Sequence, residues 1–254
     1  CEKYGFEKDF IMAALDEEET SHVDNEDSQT FIISDVPYVQ NEGENIYYST
    51  IPMGIIVTPE YILTISLKET VIIKEFIEGT VKNANTVFRT QFVLYLQLKI
   101  ATKYLLYLKQ IDRLSKYVEK KLHKSMRNKE LIQLLDLEKS LVFFSTSLKA
   151  NEATLEKMMR GRVIKLYEED QDLLEDVLIE VKQAIEMSTI YSNILSGTMD
   201  AFASIISNNL NIVMKVLTSI TILMAIPTMI SSFYGMNVVD LPMPFTWFPF
   251  ALSG

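Results

Sequence analysis

Residues 211–237 have the sequence NIVMKVLTSITILMAIPTMISSFYGMN, and this stretch decides the fold. Its nineteen residues from Val216 to Tyr234 include no charged side chain. Because about 20 apolar residues suffice for a helix to cross a bilayer, the stretch predicts a transmembrane helix. A buried core helix is the alternative, but such helices are normally shorter and have charges at both ends. The helical pattern extends back to Glu168, which predicts one very long helix that ends in the membrane.

The polar and small residues of this stretch are spaced by three and four positions, which places them on one face of the helix. Two interpretations stay open, because small and hydroxylated residues allow close packing between membrane helices and also line water-filled paths. Ser219 and Ser231 lie off this face. We name the face the polar stripe, and it consists of Asn211, Met214, Thr218, Thr221, Ala225, Thr228 and Ser232.

Composition and charge exclude several classes of function. The 254-residue chain has 34 acidic and 24 basic residues, for a formal net charge of -10 at pH 7, which disfavours nucleic acid and favours cations as partners. One cysteine, Cys1, and two histidines, His22 and His123, exclude a disulfide framework and a Cys/His zinc cluster within one chain. The sequence has no phosphate-binding glycine loop, nucleophile pair or HExxH motif, so it does not indicate an enzyme.

The front of the chain, residues 1–85, is predicted to be a small α/β domain. Short β-rich runs alternate with turn signals between Phe31 and Leu67. An amphipathic helix at about 70–78 follows them, and Gly79 can end it. The acidic run at 16–19 is interpreted as a solvated loop or helix face.

The rest of the chain is predicted to be helical. Residues 87–124 contain neither glycine nor proline, and a second helix at 128–160 is expected to pack antiparallel to them. The predicted segments are a long helical pair over 86–167, a stalk helix over 168–215, a transmembrane helix over 216–234 and a loop over 235–254.

The residues after the span carry a resemblance. The span ends at Gly235, Met236 and Asn237, and a proline-rich, aromatic segment follows at 241–247. A Gly-Met-Asn triplet after a membrane helix, itself the end of a long stalk helix behind an α/β domain, resembles the CorA family of magnesium channels. The match extends through 211–218, which is similar to the inner end of that family's pore helix. The front domain resembles the family only in its element order.

The resemblance implies a funnel-shaped homopentamer in the lipid bilayer of the plasma membrane, with a central pore for Mg²⁺ and with Co²⁺ or Ni²⁺ as secondary ions. Gly235, Met236 and Asn237 would form a selectivity ring at the outer mouth, where neutral amide oxygens hold hydrated Mg²⁺. The large N-terminal domain is expected in the cytoplasm, because Lys215 is the basic residue next to the span and no Lys or Arg follows it. The implied pore face comprises Asn211, Met214, Leu217, Thr221 and Thr228, with Asp200 near the cytoplasmic mouth.

The sequence departs from the family at two places. At the middle constriction, where better-known bacterial members have a methionine followed by a proline, this chain has Ala225 and Ile226. Closure is therefore expected at Met214 or Leu217. The family's second membrane helix is expected to be missing, although its first residues are recognisable.

The family is regulated by Mg²⁺ bound between neighbouring cytoplasmic domains. The segment 168–186 is strongly acidic, with Lys182 as its one basic residue. The resemblance places a sensor aspartate at Asp176, with Glu175 and Asp172 as further ligands, and a solvated acidic helix face is the alternative. Glu69 and Glu78 are considered as partners on the adjacent front domain.

Two other functions stay open. A zinc transporter of the same superfamily would share the triplet. A membrane-anchored helical scaffold or cation sensor would use the span to oligomerise without conducting ions.

Overall fold

The computed structural model describes residues 5–26, 28–42, 45–125, 128–160, 164 and 166–235. They fall into two compact units, Cys1–Gly197 and Thr198–Gly254, and the last helix contributes to both. The elements in chain order are α1 Lys8–Ala14, β1 His22–Glu26, β2 Gln29–Glu42, β3 Asn45–Val57, β4 Ile62–Ser66, α2 Val71–Ile77, α3 Arg89–Ser125, α4 Asn128–Met159 and α5 Glu168–Tyr234.

The first unit contains a four-stranded antiparallel sheet in the order β1-β2-β3-β4. Strands β2 and β3 pair from Thr30↔Val57 to Glu42↔Asn45, whereas β1 pairs only with Gln29–Ile33 and β4 only with Met53–Val57. The rest of the two strands, residues 34–42 of β2 and 45–52 of β3, therefore extends beyond the neighbouring strands, and we name it the hairpin arm. The short strands predicted at 46–48 and 54–57 belong to one 13-residue strand, because the residues between them are extended too.

A side chain of α4 completes one edge of the hairpin arm. The Asp35 N–H donates to Asn151 Oδ1 at 2.9 Å, and Asn151 Nδ2 donates to the Asp35 carbonyl oxygen at 2.8 Å. The Tyr104 hydroxyl donates to the same carbonyl at 3.1 Å. Asp35 lies opposite Pro52, and its N–H and C=O point away from β3. Asn151 thus takes the place of a neighbouring strand, and Pro52 needs no N–H at this position.

Helices cover both faces of the sheet because side chains alternate along each strand. On one face α1 packs against β2, where the Phe10 and Phe31 rings stack with centroids 4.6 Å apart. On the other face α3 and α4 bury Tyr104 against Phe144, with ring centroids 5.0 Å apart. The resulting unit with an antiparallel sheet and long helices confirms the predicted α/β domain and long helices, while the funnel-shaped homopentamer stays a prediction.

The helix boundaries agree with the sequence patterns where local signals are strong. Helix α5 has the predicted bounds, and α4 begins at Asn128 as predicted. Thr70 caps α2 by accepting the Ile73 N–H, and Gly79 with φ +67° follows its end. The sequence analysis missed α1 and β1, because the buried residues of α1 are only Phe10 and Ala14 and β1 buries one of its five residues. The acidic run at 16–19 lies between these two elements, which confirms a loop.

Candidate functional site

The polar stripe lies on the part of α5 that belongs to the second compact unit. All seven of its side chains are exposed on that unit. Helix α5 contains an 18-residue window of mean hydropathy 1.8, so it is long and apolar enough to cross a membrane. The stripe is therefore a more polar face on the apolar part of α5.

The threonine hydroxyls of the stripe bind to the backbone of their own helix. Thr218, Thr221 and Thr228 each donate to the carbonyl oxygen four residues earlier, at 2.8 Å. Each hydroxyl proton is thus used within the helix, and the oxygen lone pairs face outward. Outward lone pairs accept hydrogen bonds from water, which suits a hydrated cation. Ser219 makes the same kind of bond off the stripe, so spacing is what distinguishes the stripe.

The spacing of the stripe continues toward both ends of α5. Steps of three and four lead from Asp200 through Ser204 and Ser207 to the stripe, and from its last residue to Gly235. The sequence analysis included Asp200 but missed Ser204 and Ser207, although the same spacing would have identified them. An alternation of three and four has a mean period of 3.5 residues, which is typical of parallel helices that supercoil with this face toward one another.

The opposite face of α5 is apolar. With 3.6 residues per turn, Val216, Leu223 and Ile230 lie about half a turn from the stripe. Pro227 lies on the same side, and because it has no N–H the carbonyl of Leu223 loses its usual helical donor. The span therefore has a hydroxylated face and a hydrocarbon-compatible face, as the sequence predicted.

The predicted selectivity residues follow the end of α5. The Gly235 N–H donates to the Ser231 carbonyl oxygen at 3.0 Å, so Gly235 follows directly on the last helical turn. A Cβ at this position would lie 3.2 Å from that oxygen, which is a close contact. Met236 and Asn237 lie outside the described residues, and the selectivity ring stays a prediction.

The three predicted regulatory carboxylates, Asp172, Glu175 and Asp176, are exposed on the first unit. The neighbouring Asp170 is buried instead, and its Oδ2 accepts the Tyr167 N–H at 2.9 Å, which caps α5. Within the described ranges, no group of three or more His, Cys, Asp or Glu side chains is placed to hold a metal ion. The predicted regulatory site is thus not complete in the described part of one chain.

Lys182 does not pair with the acidic stretch at the start of α5. Its Nζ lies 3.8 Å from Glu152 and 4.0 Å from Glu156, both on α4. These contacts join α5 to α4 and leave the positive charge away from Asp172 and Asp176. Of the two suggested partner residues on the front domain, Glu69 pairs with Lys74 at 3.1 Å, while Glu78 lies at the end of α2.

Comparisons with known proteins give a consistent result. The chain matches the model of a family described as CorA-like Mg²⁺ transporter protein over residues 1–253. It is 29% identical over 247 residues to the cobalt/magnesium transport protein CorA of Methanocaldococcus jannaschii, which covers 95% of this chain and 76% of that protein.

Solved structures share the fold. The complete structure of the CorA magnesium transporter from Methanocaldococcus jannaschii matches with a TM-score of 0.83 and 27% identity, over 99% of this chain and 79% of that one. The cytoplasmic domain of ZntB from Vibrio parahaemolyticus matches with a TM-score of 0.62 and 11% identity, over 83% of this chain and 81% of that one. The second likeness concerns the fold alone.

Proposed function

Because the chain belongs to the CorA-like Mg²⁺ transporter family, we propose that it is a subunit of a Mg²⁺ channel whose ion path is lined by the polar stripe. Members of this family are transporters and not enzymes. Mg²⁺ is the proposed main cargo. Co²⁺, which the name of the Methanocaldococcus jannaschii relative includes, and Ni²⁺ are proposed as secondary cargo.

The observation that carries this proposal is the row of outward hydroxyl oxygens at Thr218, Thr221 and Thr228. Mg²⁺ is small and gives up its water reluctantly, so it crosses a narrow path with much of its hydration shell. Neutral oxygens accept hydrogen bonds from that shell without holding the ion as tightly as carboxylates would. Within the span the stripe has no charged member, which fits passage more than storage.

A single helix does not enclose a path, so the proposal requires several copies. We propose a homopentamer in the lipid bilayer of the plasma membrane, with the first unit in the cytoplasm. The 3.5-residue period of the stripe supports parallel packing of identical helices with this face inward. The apolar face around Leu223 and Ile230 would then contact lipid or protein.

Selectivity and closure are assigned to different levels of the path. Gly235, Met236 and Asn237 form the proposed selectivity ring at the outer mouth, and Asp200 attracts cations near the inner mouth. Met214 and Leu217 are proposed as the closing level because Ala225 is too small to narrow the path. Both side chains are more than half exposed on the single chain, so they are available to meet their counterparts in other copies.

Regulation is assigned to the acidic start of α5. Asp172, Glu175 and Asp176 are exposed, and the Lys182 ammonium contacts Glu152 and Glu156 on α4 instead, which supports a site that a neighbouring chain completes. Bound Mg²⁺ would relieve carboxylate repulsion there and hold the closed state.

Ion uptake into liposomes tests the proposal. Asn237→Ala should abolish selective Mg²⁺ uptake and leave the size of the assembly unchanged. Asn209→Ala is the matched control, because Asn209 is an exposed asparagine of α5 outside the spacing of the stripe. Uptake that is unchanged in Asn237→Ala would refute the ring assignment.

The two alternative functions give different results in related assays. Zinc uptake driven by a proton gradient, without Mg²⁺ flux, would establish the zinc transporter. An assembly that forms but conducts no ion would establish the scaffold.

For the regulatory site, Mg²⁺ should protect the cytoplasmic part from protease and Asp176→Ala should weaken that protection. Equal protection by potassium alone would refute the site.

A further inference from the structure

Lys215 occupies an unusual position at the N-terminal end of the span. It is the only lysine or arginine among residues 183–254. Its side chain is exposed, and its carbonyl oxygen accepts the Ser219 hydroxyl at 2.8 Å, as in a regular helix. At 3.6 residues per turn, Lys215 lies about a quarter turn from the polar stripe. Its charge therefore flanks the stripe and does not lie on it.

Within the described part of the second unit, no carboxylate reaches this lysine. Among residues 198–235, the described part of that unit, the one acidic residue is Asp200. It lies fifteen positions earlier in α5, which is about 22 Å along the axis. A lysine side chain is much shorter than this. In parallel copies in register, Asp200 of another copy would lie at the same level and would be equally out of reach.

The helix directs the lysine away from the hydrocarbon. Each Cα–Cβ bond of an α-helix tilts toward the helix N-terminus, so the Lys215 stem points away from the uncharged span. Long basic side chains at such positions place their stem along apolar surface and their charge among the lipid headgroups. The exposed Ile212, about one turn earlier on the same side of the helix, supplies that apolar surface.

We propose that Lys215 binds the phosphodiester of an anionic phospholipid in the leaflet at the N-terminal end of the span, and so fixes the depth of the pore helix. The inference rests on the proposed function, because it requires α5 to cross a bilayer beside parallel copies of itself. The ammonium supplies the positive charge, and the lipid phosphate supplies a countercharge that residues 198–235 do not place within its reach.

Competitive lipid binding to the full-length protein tests this proposal. The detergent-solubilised assembly is titrated with equimolar phosphatidylglycerol and phosphatidylcholine, and native mass spectrometry counts the two lipids that remain bound. A lysine near an anionic surface contributes about 1 kcal/mol, so Lys215→Gln should lower the preference for phosphatidylglycerol about fivefold per site. Lys215→Arg should retain the preference.

Lys182→Gln is the matched control, because Lys182 lies on the same helix and is paired with Glu152 and Glu156. Its lipid preference should equal that of the unmodified protein. Inorganic phosphate at millimolar concentration should not compete, which separates a lipid site from a free-phosphate site. An unchanged preference in Lys215→Gln, or an equal loss in Lys182→Gln, would overturn the proposal.

Lipid preference is measured without ion flux, so the two proposals fail separately. If the lipid preference depends on Lys215 but no Mg²⁺ passes, the lipid site is confirmed and the channel function is refuted. If Mg²⁺ passes but Lys215→Gln keeps its preference, only the lipid site falls.

Discussion

Replacing Asn151 by alanine removes the side chain that completes the edge of the hairpin arm. Asn151 is 2% exposed and makes two hydrogen bonds, of 2.9 and 2.8 Å, to the backbone of Asp35. After the change, the Asp35 N–H loses this acceptor. The Asp35 carbonyl oxygen keeps the Tyr104 hydroxyl at 3.1 Å. The damage is therefore concentrated on one part-buried donor, the Asp35 N–H.

The expected size of the effect follows from these two bonds. A buried donor left without a partner costs about 1–3 kcal/mol. Losing the bond to the Asp35 carbonyl oxygen, which keeps the Tyr104 hydroxyl, adds about 0.5–1.5 kcal/mol. We expect a loss of about 2–4 kcal/mol in the free energy that holds the hairpin arm against α4. Since each 1.4 kcal/mol is a factor of ten, amides that exchange through opening of the arm should exchange more than tenfold faster.

Hydrogen exchange of peptides from β2, followed by mass spectrometry on the full-length protein, measures this directly. Ser140→Ala is the control, because Ser140 is also buried on α4 but donates only to the Asp136 carbonyl of its own helix, at 2.9 Å. Because that carbonyl lies within α4, Ser140→Ala should lower the free energy that holds the hairpin arm against α4 by less than about 1 kcal/mol. Equal exchange of the β2 peptides in the two variants would refute the role assigned to Asn151.

Three further changes have defined outcomes. Burial raises the pKa of the Asp35 carboxyl above its ordinary value, so its ionised form opposes folding, and stability should fall as pH rises through the folded-state pKa. Asp35→Asn should remove this dependence, so above the folded-state pKa the variant should melt at a higher temperature than the unmodified protein. Equal melting temperatures at that pH would contradict the effect assigned to the Asp35 carboxylate. Gly54→Ala should lower the free energy of unfolding, measured by chemical denaturation, by about 1–3 kcal/mol, because the new Cβ would collide with the Cβ of Ala14. An unchanged denaturation midpoint would show that α1 moves to accept the extra methyl group without cost. Thr221→Val keeps the shape of the side chain but removes its outward oxygen, so Mg²⁺ uptake should slow while the assembly keeps its size. Uptake at the unmodified rate would show that the Thr221 hydroxyl plays no part in ion passage.

The long helices were predictable because their signals are local. Residues 168–234 combine helical spacing with almost no glycine or proline, and α5 has the bounds that this pattern indicates. The hairpin arm was less predictable. Its edge is bonded to Asn151, which lies 116 positions from Asp35 in the chain. No local pattern reports a contact over that separation, and the strands were accordingly predicted too short.

In the candidate site, too, the features with a local sequence signal were predictable and the features that depend on packing between helices were not. The polar stripe follows from the spacing of residues along one helix, and its location on α5 agrees with that spacing. The environment of the acidic segment depends on packing between helices. Lys182 is the one basic residue of the acidic segment 168–186, and it pairs with Glu152 and Glu156 on α4. A charge count along the sequence does not reveal which neighbouring helix a flexible lysine reaches.

The most direct test of the account is the access of water to α5 in the assembled membrane protein. With Cys1 replaced by serine, single cysteines are introduced at the stripe positions Thr218, Thr221 and Thr228 and at the opposite positions Leu223 and Ile230. The protein in liposomes is then treated with a positively charged, water-soluble thiol reagent, with and without Mg²⁺. If the stripe lines a hydrated ion path, the stripe positions should react, Mg²⁺ should slow their reaction, and the opposite positions should stay unmodified. Reaction at Leu223 and Ile230 with none along the stripe would contradict a hydrated ion path on this face.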